Sequence, residues 1–263
     1  MGKGRPGALA KLAASAGFVR IVRNWPEHYA ATHGRTRPAR LVYHLRNGLA
    51  LEARPRTLDV AVIKDVFWHR VYSPPGFALE DGAVVVDVGA HIGAFAAFAA
   101  RAAKDVAVLA FEPHPENFEL LTSNLARNGL TQVRAQNCGL AGSQGSRDLH
   151  VSSNPAGHSL HIAEPGRDDA MPVPTVTLAD VLATHALPAI DLLKMDCEGA
   201  EYEILEAAVP DALRRVRRIA MEAHRLDGSR TPERLASLLE SQGFRVRTQS
   251  KDDRTAMIWA DRP

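Results

Sequence analysis

Asp196, Glu222 and His224 are the residues whose types and spacing best suit the handling of a proton. Asp196 follows one apolar run (189–195), and Met221-Glu222-Ala223-His224 closes another (217–223). Residues two apart on a strand share a face, so Glu222 and His224 project together. Neighbouring parallel strands lie about 4.8 Å apart, close enough for Asp196 to join them above the sheet edge. Two chemistries compete for the set. In one, His224 is a general base that takes a hydroxyl proton while Asp196 orients the group. In the other, Asp196 and Glu222 hold a hard divalent cation such as Mg2+, which makes the hydroxyl more acidic. The metal-free base is preferred, because hard ions favour oxygen ligands over a lone histidine. The bland alternative leaves His224 as a hydrogen-bonding loop residue. Lys194 is expected in the catalytic group as an electrostatic partner of Asp196 or Glu198, which would keep it charged.

A second constellation could hold a nucleotide-like ligand. The apolar run 83–88 ends in Asp87-Val88-Gly89, and Gly93 follows four residues later. Two glycines suit a tight strand-to-helix turn where backbone passes close to a ligand. Glu112 ends the next apolar run (106–112), the place where α/β nucleotide sites keep an acid for ribose hydroxyls. A carboxylate can accept from two adjacent O–H donors at once. The glycine spacing is not the G-x-G-x-x-G of dinucleotide enzymes, which disfavours an NAD-dependent oxidoreductase. It matches an S-adenosylmethionine loop, with Asp87 placed to orient the turn or, through water, a ligand amine.

Three segments in order, D-V-G-A-H-I-G (87–93), F-E-P-H-P-E-N-F (111–118) and D-L-L-K-M-D-C-E-G-A-E (191–201), resemble the FkbM-type methyltransferases. The likeness runs from about residue 40 to the C-terminus, and K-x-D-x-E-G-x-E is its most specific part. It implies a Rossmann-like class I methyltransferase fold, an α/β unit with a mostly parallel seven-stranded sheet flanked by helices. It also implies S-adenosylmethionine as cofactor and O-methylation of a sugar or secondary-metabolite hydroxyl. His91 stands where asparagine is expected and bears on the cofactor's methionine end. The cofactor set is then Asp87, Gly89, His91, Gly93, Glu112, Asn117 and Asp196, with Asn137 and Cys138 at the third strand end, where the family places adenine. Asn117 and Asn124 also read as ordinary polar helix residues. Tyr72, His158, Ser159, Glu198 and Glu222 are expected around the acceptor, Tyr72 as an aromatic that stacks on it. Two alternatives stay open: a catalytically silent cofactor-binding regulatory subunit, and a nitrogen or carboxylate acceptor.

These residues need an α/β frame, and the pattern supplies one. Strands are expected at 83–88, 106–112, 132–138, 189–195, 217–223, 245–248 and 255–260. Helices are expected at 93–103, 115–128, 177–185, 200–208 and 231–242. Residues 139–174 are rich in Gly, Ser, Asn, Pro and Asp and are expected as a long functional insertion. Residues 1–80 form an extension over the site, with a hairpin about Asn47-Gly48 (40–46 and 50–54) and a helix at 57–71; residues 81–263 form the methyltransferase domain. Leu9, Leu12, Ala16 and Val19 fall near helical spacing, so 1–25 reads as an amphipathic helix packing on the domain or on a homo-oligomer partner.

Composition narrows the classes. With 263 residues, 46% hydrophobic and 24% charged, the chain can bury one substantial core. A net charge of +2 and 6% aromatics give no nucleic-acid footprint. No run approaches the roughly 20 apolar residues of a transmembrane helix. Two cysteines, Cys138 and Cys197, make no disulfide framework, which points to the cytoplasm. The expected partner is a small hydroxylated molecule.

Overall fold

In the computed structural model, which describes residues 17–35, 37–167 and 169–262, seven strands form the central sheet. In chain order the elements are α1 (Trp25–His33), β1 (Leu41–His44), β2 (Ala50–Ala53), α2 (Asp59–Lys64), β3 (Val84–Val88), α3 (Ala94–Ala99) and β4 (Ala107–Phe111). Then come α4 (Pro115–Arg127), β5 (Val133–Gln136), β6 (Gly139–Leu140), β7 (Gly145–His150), β8 (Ala170–Val176), α5 (Leu178–Thr184) and β9 (Leu192–Met195). The chain ends with α6 (Glu201–Ala208), α7 (Asp211–Arg214), β10 (Arg218–His224), α8 (Pro232–Ser241), β11 (Arg245–Ser250) and β12 (Thr255–Asp261).

The sheet order is β11-β12-β10-β9-β3-β4-β5. β3, β4, β5, β9 and β10 run parallel, while β12 inserts antiparallel between β10 and β11. This is the expected mostly parallel seven-stranded α/β sheet. The chain reverses direction at β3, whose neighbours are β4 on one side and β9 on the other, so the strand ends open a crevice there. β3 and β9 are buried along almost their whole length, as strands covered on both faces must be.

Two apolar cores fill the two faces. One joins Val85, Phe95 and Leu121 to Val22, Tyr43 and Leu51 of the N-terminal segment. Residues 17–80 therefore share a core with the sheet. The other sits under α5, α6 and α8. Two asparagines dock the hairpin: Asn124 accepts from Glu52 N at 2.6 Å and donates to Glu52 O at 3.0 Å, and Asn128 brackets Ala50 with two bonds of 2.8 Å. The side-chain amides thus imitate a neighbouring strand along β2.

Several boundaries differ from expectation. The 57–71 helix is α-helical only to Lys64; Asp65–His69 widens into a π-turn, and Arg70 ends it in the left-handed conformation. Such turns recur where a helix must aim a side chain into a site. The 139–174 insertion is not structureless, because β7 and β8 pair antiparallel and β6 adds to β8. Pro172 and Pro174 hid β8; two residues apart, their missing N–H groups fall on one side of the strand. Of the 1–25 helix, Leu9, Leu12 and Ala16 lie outside the described residues. A helical turn runs from 17 to 21, and α1 then starts at Trp25 with Pro26 in its first turn. No described helix is long and apolar enough to cross a membrane.

Candidate active site

The C-terminal ends of β3, β4, β9 and β10 open into one cavity, closed on one side by α2 and its π-turn and on another by the 154–158 loop. It encloses about 1270 Å³, counting its open mouth. Gly89, His91, Glu112, Asn117 and His158 line one end; Asp65, Tyr72, Asp196, Glu198, Glu222 and Lys251 line the other.

The glycine turn is fixed from beneath. Asp87 and Lys194 are register partners on adjacent parallel strands, and both side chains are buried. Lys194 Nζ lies 3.0 Å from Asp87 Oδ1 and donates to Gly89 O at 2.8 Å. Lys194 was expected as an electrostatic partner of Asp196 or Glu198; its direct ion pair is with Asp87, and its charge also favours the ionised Asp196 carboxyl. Gly89 has φ +72°, and a Cβ there would sit 1.9 Å from the Asp196 carbonyl oxygen. Only glycine lets this turn close against the end of β9. Gly93 caps α3, also in the left-handed conformation.

Glu112 carries its charge into the cavity wall. Its Oε2 accepts from His91 N at 2.8 Å and its Oε1 from His114 N at 2.9 Å. Burial raises its carboxyl pKa, opposed by His91 and these amides. Asn117 Nδ2 adds a long contact to Oε1 at 3.5 Å, and since a carboxylate has about four acceptor sites, Oε2 keeps room for a ligand. His91 adopts φ +52°, a region where His and Asn are enriched among non-glycine residues; histidine thus keeps the turn that asparagine would make. His91 Nε2 lies 3.2 Å from Asp59 Oδ1, while Nδ1 is buried without a partner among the described residues. An orphaned buried nitrogen beside the turn suits an added polar ligand. With Glu112 on the same wall, the residues fit a ribose-bearing cofactor.

Arg54 and Asp59, which carried no signal in the sequence, lock this end. Arg54 meets Asp59 through Nε at 2.8 Å, a second guanidinium nitrogen at 3.1 Å and its own backbone N at 2.9 Å. It also donates to Asn117 Oδ1 at 2.6 Å, and Asn117 Nδ2 reaches Pro155 O at 2.9 Å. Asp59 is wholly buried; burial would raise its carboxyl, but His91 and Arg54 hold it well below the usual carboxylate range. His158 stacks on His114 with ring centres 3.9 Å apart. Burial first, then His114, His91 and Arg54, push His158 down to about 3, so it stays neutral and its Nδ1 accepts from Ser152 N.

The acceptor end departs further from expectation. Tyr72 was expected to stack on the acceptor, yet it is buried and donates its hydroxyl to Asp196 Oδ2 at 2.6 Å. Glu222, expected near the acceptor and, in the less favoured metal reading, beside Asp196 on a cation, pairs with Lys251 Nζ at 2.6 Å. Carboxylate and imidazole atoms of Asp196, Glu198 and His224 lie within 4.8 Å of one another. His224 Nδ1 meets Glu201 Oε1 at 3.0 Å, and Nε2 is 3.4 Å from Glu198 Oε2. Burial alone would lower the imidazole pKa, but Glu201, Glu198 and Asp196 push it up to about 10.

Three further residues stand off the cavity. Ser159 is buried, donates to Glu198 O and accepts from the backbone of His161 and Ile162, so it shapes the Glu198 loop from behind. Asn137 donates to the carbonyls of Glu112 and Pro113. Cys138 is packed in the second core, where burial raises its thiol pKa. Sequence reasoning also missed Lys251 and Asp65, which lie on a late hairpin and a π-turn.

Residues 87–246 match the methyltransferase FkbM domain model. The chain belongs to this family. It is 31% identical to methyltransferase sdnD of Sordaria araneosa, over 76% of this chain and 89% of that protein. It is 30% identical to the 31-O-demethyl-FK506 methyltransferase FkbM of Streptomyces tacrolimicus, over 70% of this chain and 80% of that protein. The hexuronic acid methyltransferase AglP of Haloferax volcanii is also 30% identical, over 55% of this chain and 57% of that protein. This FkbM-family chain is an S-adenosylmethionine-dependent methyltransferase.

Proposed function

We propose that this methyltransferase O-methylates a hydroxyl of a small, uncharged, polyhydroxylated acceptor such as a sugar or a secondary metabolite. The observation that carries the reading is the composition of the far end of the cavity. Asp65, Asp196, Glu198 and Glu222 face Lys251 there, and Glu222 already pairs with Lys251. Carboxylates attract hydroxyl donors and repel anions, so a neutral polyol fits better than a carboxylate or phosphate acceptor. Two relatives support the class by name, the 31-O-demethyl-FK506 methyltransferase and the hexuronic acid methyltransferase. The acidic wall argues for the neutral member of that pair.

When bound, S-adenosylmethionine supplies an electrophilic sulfonium methyl group. The chain's residues do the rest. Glu112 and the His91 turn hold the ribose end; Asp87 and Lys194 keep the turn in place beneath the methionine end. Asp196, fixed by Tyr72, receives the acceptor hydroxyl between the two halves, and residues 58–72 wall the site from water. Positioning and exclusion of water contribute most of the acceleration in such a transfer. Asn137 and Cys138 act, if on adenine, through backbone groups, since their side chains are engaged elsewhere.

Calorimetry with S-adenosylmethionine, followed by labelled-methyl transfer to a panel of neutral glycosides, polyols and uronic acids, tests the reading. Glu112→Ala should weaken cofactor binding about ten- to hundredfold, the worth of a charge-assisted contact. Unchanged affinity, in a variant whose melting curve shows it folded, would remove Glu112 from the cofactor. Transfer to uronic acids in preference to neutral sugars would overturn the acceptor class.

A further inference from the structure

Around His224 the structure concentrates carboxylates that no side-chain cation fully answers. Asp196 follows β9, Glu198 lies two residues on, and His224 ends β10, the next strand in the sheet. Their ligand-capable atoms all lie within 4.8 Å of one another. Donors around a single ion at about 2.2 Å stand roughly 3–4.4 Å apart, so a contraction of a few tenths of an ångström closes the set. Asp196 and Glu198 both line the cavity.

The histidine is aimed. His224 is only 6% exposed, and its Nδ1 is tied to Glu201, which is wholly buried. That leaves Nε2 turned to Glu198 at 3.4 Å, beyond good hydrogen-bond length. A carboxylate behind a histidine whose second nitrogen faces acids is the arrangement that orients imidazole ligands on metals. Asp196 is likewise held by one oxygen, Oδ2, through Tyr72. Cys197 N and Sγ also approach Glu201 Oε1, whereas Glu201 Oε2 has no partner among the described residues. Two of the three donors, Asp196 and His224, are therefore fixed from behind by a neighbour outside the set.

We propose that Asp196, Glu198 and His224 form a divalent-cation site at the acceptor end of the cavity, with Mn2+ the best-matched ion. Two carboxylate oxygens select harder ions and one imidazole nitrogen moves the balance from Mg2+ towards Mn2+. Glu222 is left out because Lys251 holds it. The proposal deepens the methyl-transfer reading and depends on it only for the use made of the ion. A cation here makes an acceptor hydroxyl more acidic. The hydroxyl proton leaves to solvent through the open mouth. The oxygen lone pair then forms the O–CH3 bond as the sulfonium C–S bond breaks, leaving a neutral thioether.

The test uses the full chain stripped with EDTA, titrated with Mn2+ alone and followed by calorimetry and electron paramagnetic resonance. One Mn2+ per chain is expected, with a rise in melting temperature. Glu198→Gln and Asp196→Asn should each weaken it at least tenfold. Glu198→Gln changes a part-exposed residue and should leave cofactor affinity within twofold, which shows that the variant is folded. No saturable Mn2+ binding into the millimolar range overturns the site, as does binding that both variants retain. Failure of the methyltransferase reading would look different: Mn2+ binds, yet S-adenosylmethionine does not.

Discussion

At the cofactor end, Asp59 is met by three Arg54 nitrogens and by His91; at the acceptor end, Glu198 meets one histidine at 3.4 Å. Asp59 lies wholly buried behind one end of the cavity and Glu198 lines the other, and burial disfavours the charge of both. The first is held well below the usual range, while the second is raised to about 7, by burial and then by Asp196 and Glu201 against His224. The difference lies in partners. Asp59 sits in a scaffold of close side-chain partners, although His91 Nδ1 beside it is left without one among the described residues; Glu198 has a single, distant side-chain partner. A binding site is recognisable here by what its residues leave unpaired.

The largest effect that would break this contrast is loss of the scaffold. Asp59→Asn removes the charge that Arg54 and His91 surround and leaves a buried guanidinium without its counter-ion. Breaking such a pair should lower stability by about 3 kcal/mol or more, read from urea unfolding. A change below about 1 kcal/mol would show the network to be ornamental and the two ends alike.

A smaller effect sharpens the acceptor side. Tyr72→Phe keeps the buried ring and deletes only the hydroxyl on Asp196. Turnover should fall about tenfold, the weight of one hydrogen bond to a charged group, with acceptor KM and cofactor affinity nearly unchanged. A rise in KM at constant kcat would mean that Tyr72 touches the acceptor directly.

The sheet was legible because its signals are local. β3, β4, β9 and β10 are short apolar runs that end in Asp87, Glu112, Asp196 and His224, and parallel strands place such ends together. What joins distant segments was not legible. Arg54 and Asp59 flank a turn in an extension, and only tertiary packing brings them to Asn117 and His91. Tyr72 reads as an aromatic beside a proline-rich stop; its bond to Asp196 spans 124 positions. Lys251 lies in the β11–β12 turn, where a lysine ordinarily signals solvent. β8 was obscured by Pro172 and Pro174, and the carboxylates of Glu198 and Glu201 that flank His224 carried no signal beside it in the sequence. Spacing gives the strand ends, but not the charge that folding gathers around them.

The smallest effect concerns a carboxylate outside the cavity that resembles the scaffold in having its partners. Glu203 on α6 receives Arg147 of β7 at 3.0 Å and His161 at 2.8 Å, and so ties the small sheet to the main domain. Burial would raise its carboxyl, but His161, Arg147 and the Gly142 amide hold it down to about 2. The folded value lies below the ordinary value of about 4.3. The pair's contribution is therefore complete above about pH 4.5 and fades as pH falls towards 2. Partial exposure limits it to about 1–2 kcal/mol. Urea midpoints for the protein and for Glu203→Gln should differ at pH 6 and converge between pH 4 and pH 2. A gap that stays constant over that interval would mean that Glu203 acts by packing rather than by charge. It would then have more in common with the apolar core than with Asp59.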